Sequence, residues 1–205
     1  MNRIGIMGGA FNPIHNSHLY LAGRAGVNLG LDEVLFIPTY ISPHKQAVDL
    51  ASPGDRLAMC NIALEDYPMF TICDYEIRQR GISYTADTLE YLHIQNPKVD
   101  FWLIMGADML LTLKEWRYTD KIFRLAGIAA AARSVGEHEQ ICAHRPSLEA
   151  MGARCEVLDI PPQEMSSTLI RGLIQTGGDA SAYLPPGVWQ YIQEHRLYIH
   201  GGGQL

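Results

Sequence analysis

The sequence predicts an α/β domain: a mainly parallel sheet with helices on both faces and a helical cap at the C-terminal end. Three observations carry that reading. Six short apolar runs alternate with stretches of helical period, an alternation that favours right-handed βαβ crossovers. A glycine-rich loop joins the first run to the first helical stretch, where a doubly wound sheet would open a ligand site. Two further helical segments follow the last run, with no strand between them.

Taken along the chain, Arg3–Met7 is the first strand and His18–Leu29 the first helix, followed by strand Glu33–Pro38 and helix Pro53–Asp66. Met69–Tyr75 reads as the third strand, Thr85–Gln95 as a helix and Val99–Met105 as the fourth strand. Two short helical patterns, Met109–Leu113 and Asp120–Leu125, precede strand Gly127–Ala132. Gly136–His144 reads as a mobile loop, Pro146–Met151 as a helix and Arg154–Ile160 as the last strand. The cap, about 163–198, holds Ser167–Gln175, stopped by "TGGD", and Pro186–His195, opened by "LPPG". The expected organisation is one Rossmann-like, doubly wound domain over 1–205, with "GGGQL" at 201–205 as a flexible tail.

Composition narrows the class of function. A chain of 205 residues with 47% hydrophobic and 19% charged residues can bury a sizeable core, and no run is long and apolar enough to span a bilayer. The opening "MNRIGIMGG" lacks the apolar region of a signal peptide, so a cytoplasmic location is expected. Four scattered cysteines, Cys60, Cys73, Cys142 and Cys155, form no CxxC pair and read as reduced thiols. A net charge of −6 argues against broad binding to nucleic acid or to an anionic membrane, and leaves room for a small anion at a local basic site. The oligomeric state is open, a homo-oligomer included.

The loop "GIMGGAFNPIHNSHLYLAG" is the candidate site. Gly8 and Gly9 lack Cβ atoms, so backbone there can approach a phosphate closely. A dinucleotide fingerprint does not fit, because G-G-A-F-N-P replaces G-x-G-x-x-G and Pro13 falls where the helix should be established. A P-loop is excluded by the lack of G-K-[ST]. Zinc on His15 and His18 would need a third ligand, His44 or a distant carboxylate. In nucleotidyl transfer the two imidazoles, three apart at a helix start, lie on one side and can donate to a phosphate that gains charge.

"GGAFNPIHNSHL" resembles the GG-T-F-D-P-x-H-x-G-H-L signature of the nucleotidyltransferase superfamily, and "SSTLIR" resembles its second signature, I-S-S-T-x-I-R. With "SPHK", "SYTADTL", "GADMLLTLKEW" and "LPPGVWQYIQEHRLY" in that order, the chain is similar over nearly its whole length to the bacterial nicotinate-mononucleotide adenylyltransferase family. It departs at three positions. Ala10 stands for Thr and loses a hydroxyl, Asn12 stands for Asp, keeping an acceptor but losing a charge, and Ser17 stands for Gly and adds a small side chain.

The resemblance implies attack by the phosphate of nicotinate mononucleotide on the α-phosphorus of ATP, with Mg²⁺ accompanying the ATP and no covalent enzyme intermediate. It assigns His15 and His18 to the α-phosphate and Gly8, Gly9, Ala10 and Phe11 to the ATP loop. Ser167, Thr168 and Arg171 become the clamp on the outer phosphates, and Lys45 a basic residue at the phosphates with His44 beside it. Thr85, Gly106, Asp108, Trp116, Tyr118 and Arg133 are implied on the acceptor side. No protein-held metal is implied. The alternatives are a sister transferase for nicotinamide mononucleotide or phosphopantetheine, or a nucleotide-binding regulator without turnover.

Overall fold

The computed structural model describes residues 2–43, 50–132, 134, 136–161 and 165–199. Its sheet has six strands in the order β3-β2-β1-β4-β5-β6, and every pairing is parallel. The strands are β1 (Arg3–Gly9), β2 (Glu33–Pro38), β3 (Phe70–Ile72), β4 (Asp100–Gly106), β5 (Ala126–Ala131) and β6 (Cys155–Leu158). The chain builds outward from β1 to β3, then crosses back to lay β4 on the other side of β1. That reversal parts the loops after β1 and β4 and opens a crevice at their carboxyl ends.

Alternation along the strands sorts side chains into two cores. Phe101, Leu103 and Met105 of β4 pack with Leu89, Leu110 and Ile122, under α4 (Thr85–Gln95), α5 (Ala107–Thr112) and α6 (Thr119–Leu125). Trp102 and Ile104 face the opposite layer, formed by α1 (Asn16–Leu29) and α2 (Pro53–Leu64). Gly127 makes room there: a Cβ would come within 2.7 Å of the Trp102 ring. Each large apolar side chain buried this way contributes about 1.5–3 kcal/mol.

The cap is part of that second core. Ile170 and Ile174 of α8 (Ser167–Gln175) and Val188 and Ile192 of α9 (Pro186–Glu194) join Met59 and Ala63 of α2 in one buried cluster. Gly187 sits so close to α2 that a Cβ would meet Ile62 Cγ2 at 2.6 Å, and Tyr191 donates to Asp55 over 3.0 Å.

Three sequence expectations change. The third strand is shorter than Met69–Tyr75, because Tyr75 opens a helix, α3 (Tyr75–Gln79), braced by an ion pair from Arg78 to Asp74 at 2.8 Å. The segment 136–144 is no loop: α7 runs Glu137–Glu149 with Pro146 inside it. Pro146 lacks the N–H that would bond one turn back, yet Ile141 and Leu148, two turns apart on one face, are fully buried and hold the helix through the gap. The short helix at Met109–Leu113 begins earlier, at Ala107, and passes into a 3₁₀ turn at Leu113–Glu115. All four cysteines are free thiols, with Cys60 and Cys155 buried and Cys142 exposed. Among the described residues, no helix is long and apolar enough to cross a membrane.

Candidate active site

The crevice at the carboxyl ends of β1 and β4 is a cleft of about 280 Å³. One wall is the loop from Gly8 to His18. Nothing lies within 4 Å of the Cβ position at Gly8, so its backbone faces open space, and the Gly9 carbonyl is held by the Thr39 N–H over 2.9 Å. Phe11 takes a positive φ of 46° and buries its ring, edge-on to His18 at 5.1 Å between centroids. The Asn12–Pro13 peptide bond is cis.

His15 precedes the first turn of α1 and is buried, whereas His18, one turn on, is only partly so. The His15 N–H donates to Nδ1 of His18 over 3.2 Å, and the imidazole centroids are 3.7 Å apart. An Nδ1 that accepts carries no proton, so the neutral His18 ring holds its proton on Nε2 as a donor. Both histidines line the cleft.

Facing them is the start of α8. Ser166, the residue before the helix, caps it by accepting from Leu169 N over 3.2 Å. Ser167 and Thr168 follow in the first turn, with Arg171 one turn on, and all three line the cleft. Helix and loop are tied directly: Ser167 Oγ donates to the Pro13 carbonyl over 2.9 Å, and Arg171 Nη1 to the Asn12 carbonyl over 2.8 Å. Arg171 Nη2 reaches Thr168 Oγ1 at 3.4 Å. The arrangement sets a guanidinium, hydroxyls and the positive end of a helix on one side of the cleft, a combination suited to phosphate oxygens.

The third side comes from the other half of the chain. Thr85 begins α4, Gly106 precedes α5, Asp108 lies in its first turn, and Trp116 follows the 3₁₀ turn; all four line the cleft. Ser83 ties this side to β2, donating its N–H to the Ile41 carbonyl over 2.9 Å and accepting from Tyr40 N over 3.0 Å. Beneath it, the buried Glu76 accepts from Thr88 Oγ1 over 2.6 Å, and burial pushes its carboxyl up from the usual carboxylate range.

Of the expected site residues, Gly8, Gly9, Ala10 and Phe11 of the loop also line the cleft. Tyr118, expected on the acceptor side, is not among the residues that line the cleft. It takes a left-handed backbone, φ 59°, and its half-exposed ring packs under the Arg117 guanidinium, 4.8 Å away, while its hydroxyl accepts from Arg117 over 2.9 Å. His44, Lys45 and Arg133 lie outside the described residues.

Sequence reasoning passed over Arg56. Fully buried, its guanidinium donates to three carbonyls: Ala10 over 2.7 Å, Tyr40 over 3.2 Å and Ala51 over 3.2 Å. The signal was in "RLAMCNIAL", since Arg56 shares a helical face with Met59, Cys60 and Ala63, the buried stripe of α2. The acceptor that Asn12 keeps in place of Asp is a junction: its Oδ1 accepts from Ala51 N over 3.0 Å and from the Tyr198 hydroxyl over 2.8 Å.

Comparison with known proteins gives the family and the fold. The cytidylyltransferase-like family model matches residues 6–173. A probable nicotinate-nucleotide adenylyltransferase of Synechococcus sp. (strain JA-3-3Ab) is 39% identical over 198 residues, covering 96% of this chain and 95% of that one. One from Herpetosiphon aurantiacus is 37% identical over 201 residues, covering 97% and 100%. Among solved structures, Plasmodium falciparum nicotinic acid mononucleotide adenylyltransferase complexed with NaAD superposes with a TM-score of 0.77 at 20% identity, over 97% of this chain and 98% of that one. The last likeness speaks to the fold. The family match runs from β1 into α8 and so takes in both walls of the cleft, and the chain belongs to the cytidylyltransferase-like family, beside relatives named as nicotinate-nucleotide adenylyltransferases.

Proposed function

We propose that the protein transfers the adenylyl group of ATP to nicotinate mononucleotide, giving nicotinate adenine dinucleotide and pyrophosphate. The observation that carries the reading is the pairing across one cleft of the His15–His18 imidazoles with the α8 start and Arg171. A phosphate oxygen of the acceptor forms a bond to the α-phosphorus while the bond to the β-phosphate bridging oxygen breaks, and pyrophosphate leaves with both electrons. No side chain needs to become adenylylated. The chain's task is to hold the two substrates in line and to meet the charge that grows on the transferred group.

His18 Nε2–H is the donor best placed by its tautomer for that charge, with His15 beside it. Ser167, Thr168 and Arg171 take the outer phosphates, exchanging or sharing the bonds they make to Pro13, Asn12 and each other. Thr85, Gly106, Asp108 and Trp116 form the acceptor side, where Asp108 can accept from ribose hydroxyls and Trp116 offers an aromatic face. Lys45 and His44 at the phosphates and Arg133 at the ligand rest on the family resemblance alone. Mg²⁺ bound to the polyphosphate, as the family resemblance implies, would offset its charge.

The test is to incubate the protein with ATP, Mg²⁺ and each candidate acceptor and to follow pyrophosphate. Nicotinate mononucleotide should support release and phosphopantetheine should not. Equal turnover with phosphopantetheine would sink the assignment, as would stoichiometric labelling of the protein by α-labelled ATP.

A further inference from the structure

We infer that Arg56, which lines no part of the cleft, is a positioning residue that sets the spacing between the nucleotide loop and the acceptor side. The inference rests on the proposed two-substrate reaction. The Arg56 guanidinium bonds to both halves of the site: Nη1 to the Ala10 carbonyl in the loop and Nη2 to the Tyr40 carbonyl after β2, beside the main-chain bond from Thr39 N–H to the Gly9 carbonyl. From Tyr40 the link runs on without a gap. Tyr40 N–H donates to Ser83 Oγ, Ser83 N–H to the Ile41 carbonyl, and Ser83 leads two residues later to Thr85 in the cleft. Nε anchors the fork to its own helix entrance through the Ala51 carbonyl, and Ala51 N–H returns to Asn12 Oδ1 in the loop.

The planar fork makes this a matter of distance as well as of bonding. Three N–H groups in one rigid plane reach three carbonyls on separate segments, so a shift of any segment breaks a bond. A lysine ammonium could keep the charge but could not satisfy three carbonyls arranged around a plane. Among the described residues, no carboxylate pairs with Arg56; the groups that bear on its charge are the Cys60 thiol and the Tyr198 hydroxyl, both neutral near pH 7. A buried cation with no counter-ion among the described residues is costly to the empty fold. Anionic phosphates on the far side of Ala10 would offset that cost, so the residue contributes in two separable ways: charge to ligand binding, and geometry to turnover.

The two parts are separated by Arg56→Lys and Arg56→Met, each assayed below its own melting temperature with circular dichroism confirming the fold. Three quantities are read: kcat, the KM of each substrate, and the rise in Tm on adding ATP with Mg²⁺. Arg56→Lys should keep an ATP-induced rise close to that of the wild type and KM values within about threefold, while kcat falls about 10–100-fold from misplaced reacting groups. Arg56→Met should lose most of the ATP-induced rise as well. Wild-type kcat in folded Arg56→Lys would overturn the geometric part, and an unchanged ATP-induced rise in Arg56→Met the electrostatic part. Should Arg56→Met not fold, Arg56→Gln takes its place, since it keeps donors but drops the charge. If wild-type protein released no pyrophosphate with any acceptor, the proposed reaction would fail, but the ATP-induced rise across these variants would still decide the electrostatic part.

Discussion

The main-chain N–H of His15 donates to Nδ1 of His18 at 3.2 Å, so one histidine of the opening motif fixes the proton of the other. This bond orients a ring that would otherwise be free to choose its tautomer, and it leaves Nε2–H as the donor. It also occupies a nitrogen that a metal would need.

That relationship gives the first prediction. His18→Ala should fold, bind ATP within a few-fold of wild type and lose kcat by about 10²–10³, the usual loss for one preorganised donor in transfer chemistry. His15→Ala should behave similarly. Steady-state kinetics with an independent ATP-binding measurement checks both. Near-wild-type kcat in His18→Ala would remove the phosphate-stabilising role, and stoichiometric zinc that this substitution abolished would replace it with a metal site.

Acceptor choice is the second. A pocket whose donors match a carboxylate leaves them poorly satisfied by an amide NH₂, and one mismatched buried polar contact costs about 1–3 kcal/mol. Nicotinate mononucleotide should therefore exceed nicotinamide mononucleotide by at least about tenfold in kcat/KM. Parallel assays of the two acceptors settle it, and equal efficiency would mean a pocket built for both.

Asn12 and Tyr198, 186 positions apart in sequence, should be coupled in stability. Tyr198→Phe removes one donor and should cost about 0.5–1.5 kcal/mol; Asn12→Ala strips the shared acceptor from Ala51 N and Tyr198 and should cost more. Urea unfolding of the two single variants and the double variant gives the interaction directly. Strict additivity would mean that the hydrogen bond adds nothing to holding the C-terminal cap on the loop.

Glu76 gives a pH dependence of known sign. Burial raises its carboxyl in the folded protein above the unfolded value of about 4.3, so between the two values the fold holds a proton that the unfolded chain has released. Its contribution is present in full below the unfolded value and is lost as pH rises through the raised folded one. Glu76→Gln keeps an acceptor for Thr88 Oγ1 and cannot ionise. The variant should gain stability relative to wild type as pH climbs through that window, measured by urea unfolding from pH 4 to 8. A constant difference across the series would show that Glu76 does not titrate there.

What was legible in the chain is what near neighbours encode. The alternation of strand-length and helical runs, the glycine loop ahead of α1 and the "SST" start of α8 all depend on residues within a turn or two of one another; all six strands are present, and the loop and the α8 start stand where their patterns placed them. The remaining features depend on partners far along the chain. Pro146 reads locally as a helix start, and only the burial of Ile141 and Leu148 against the core carries α7 through it. Arg56 and Asn12 become structural junctions because packing strips water from the carbonyls of Ala10 and Tyr40, from the Ala51 peptide and from the Tyr198 hydroxyl, and a polar group without water must find its partner wherever the tertiary structure has brought one.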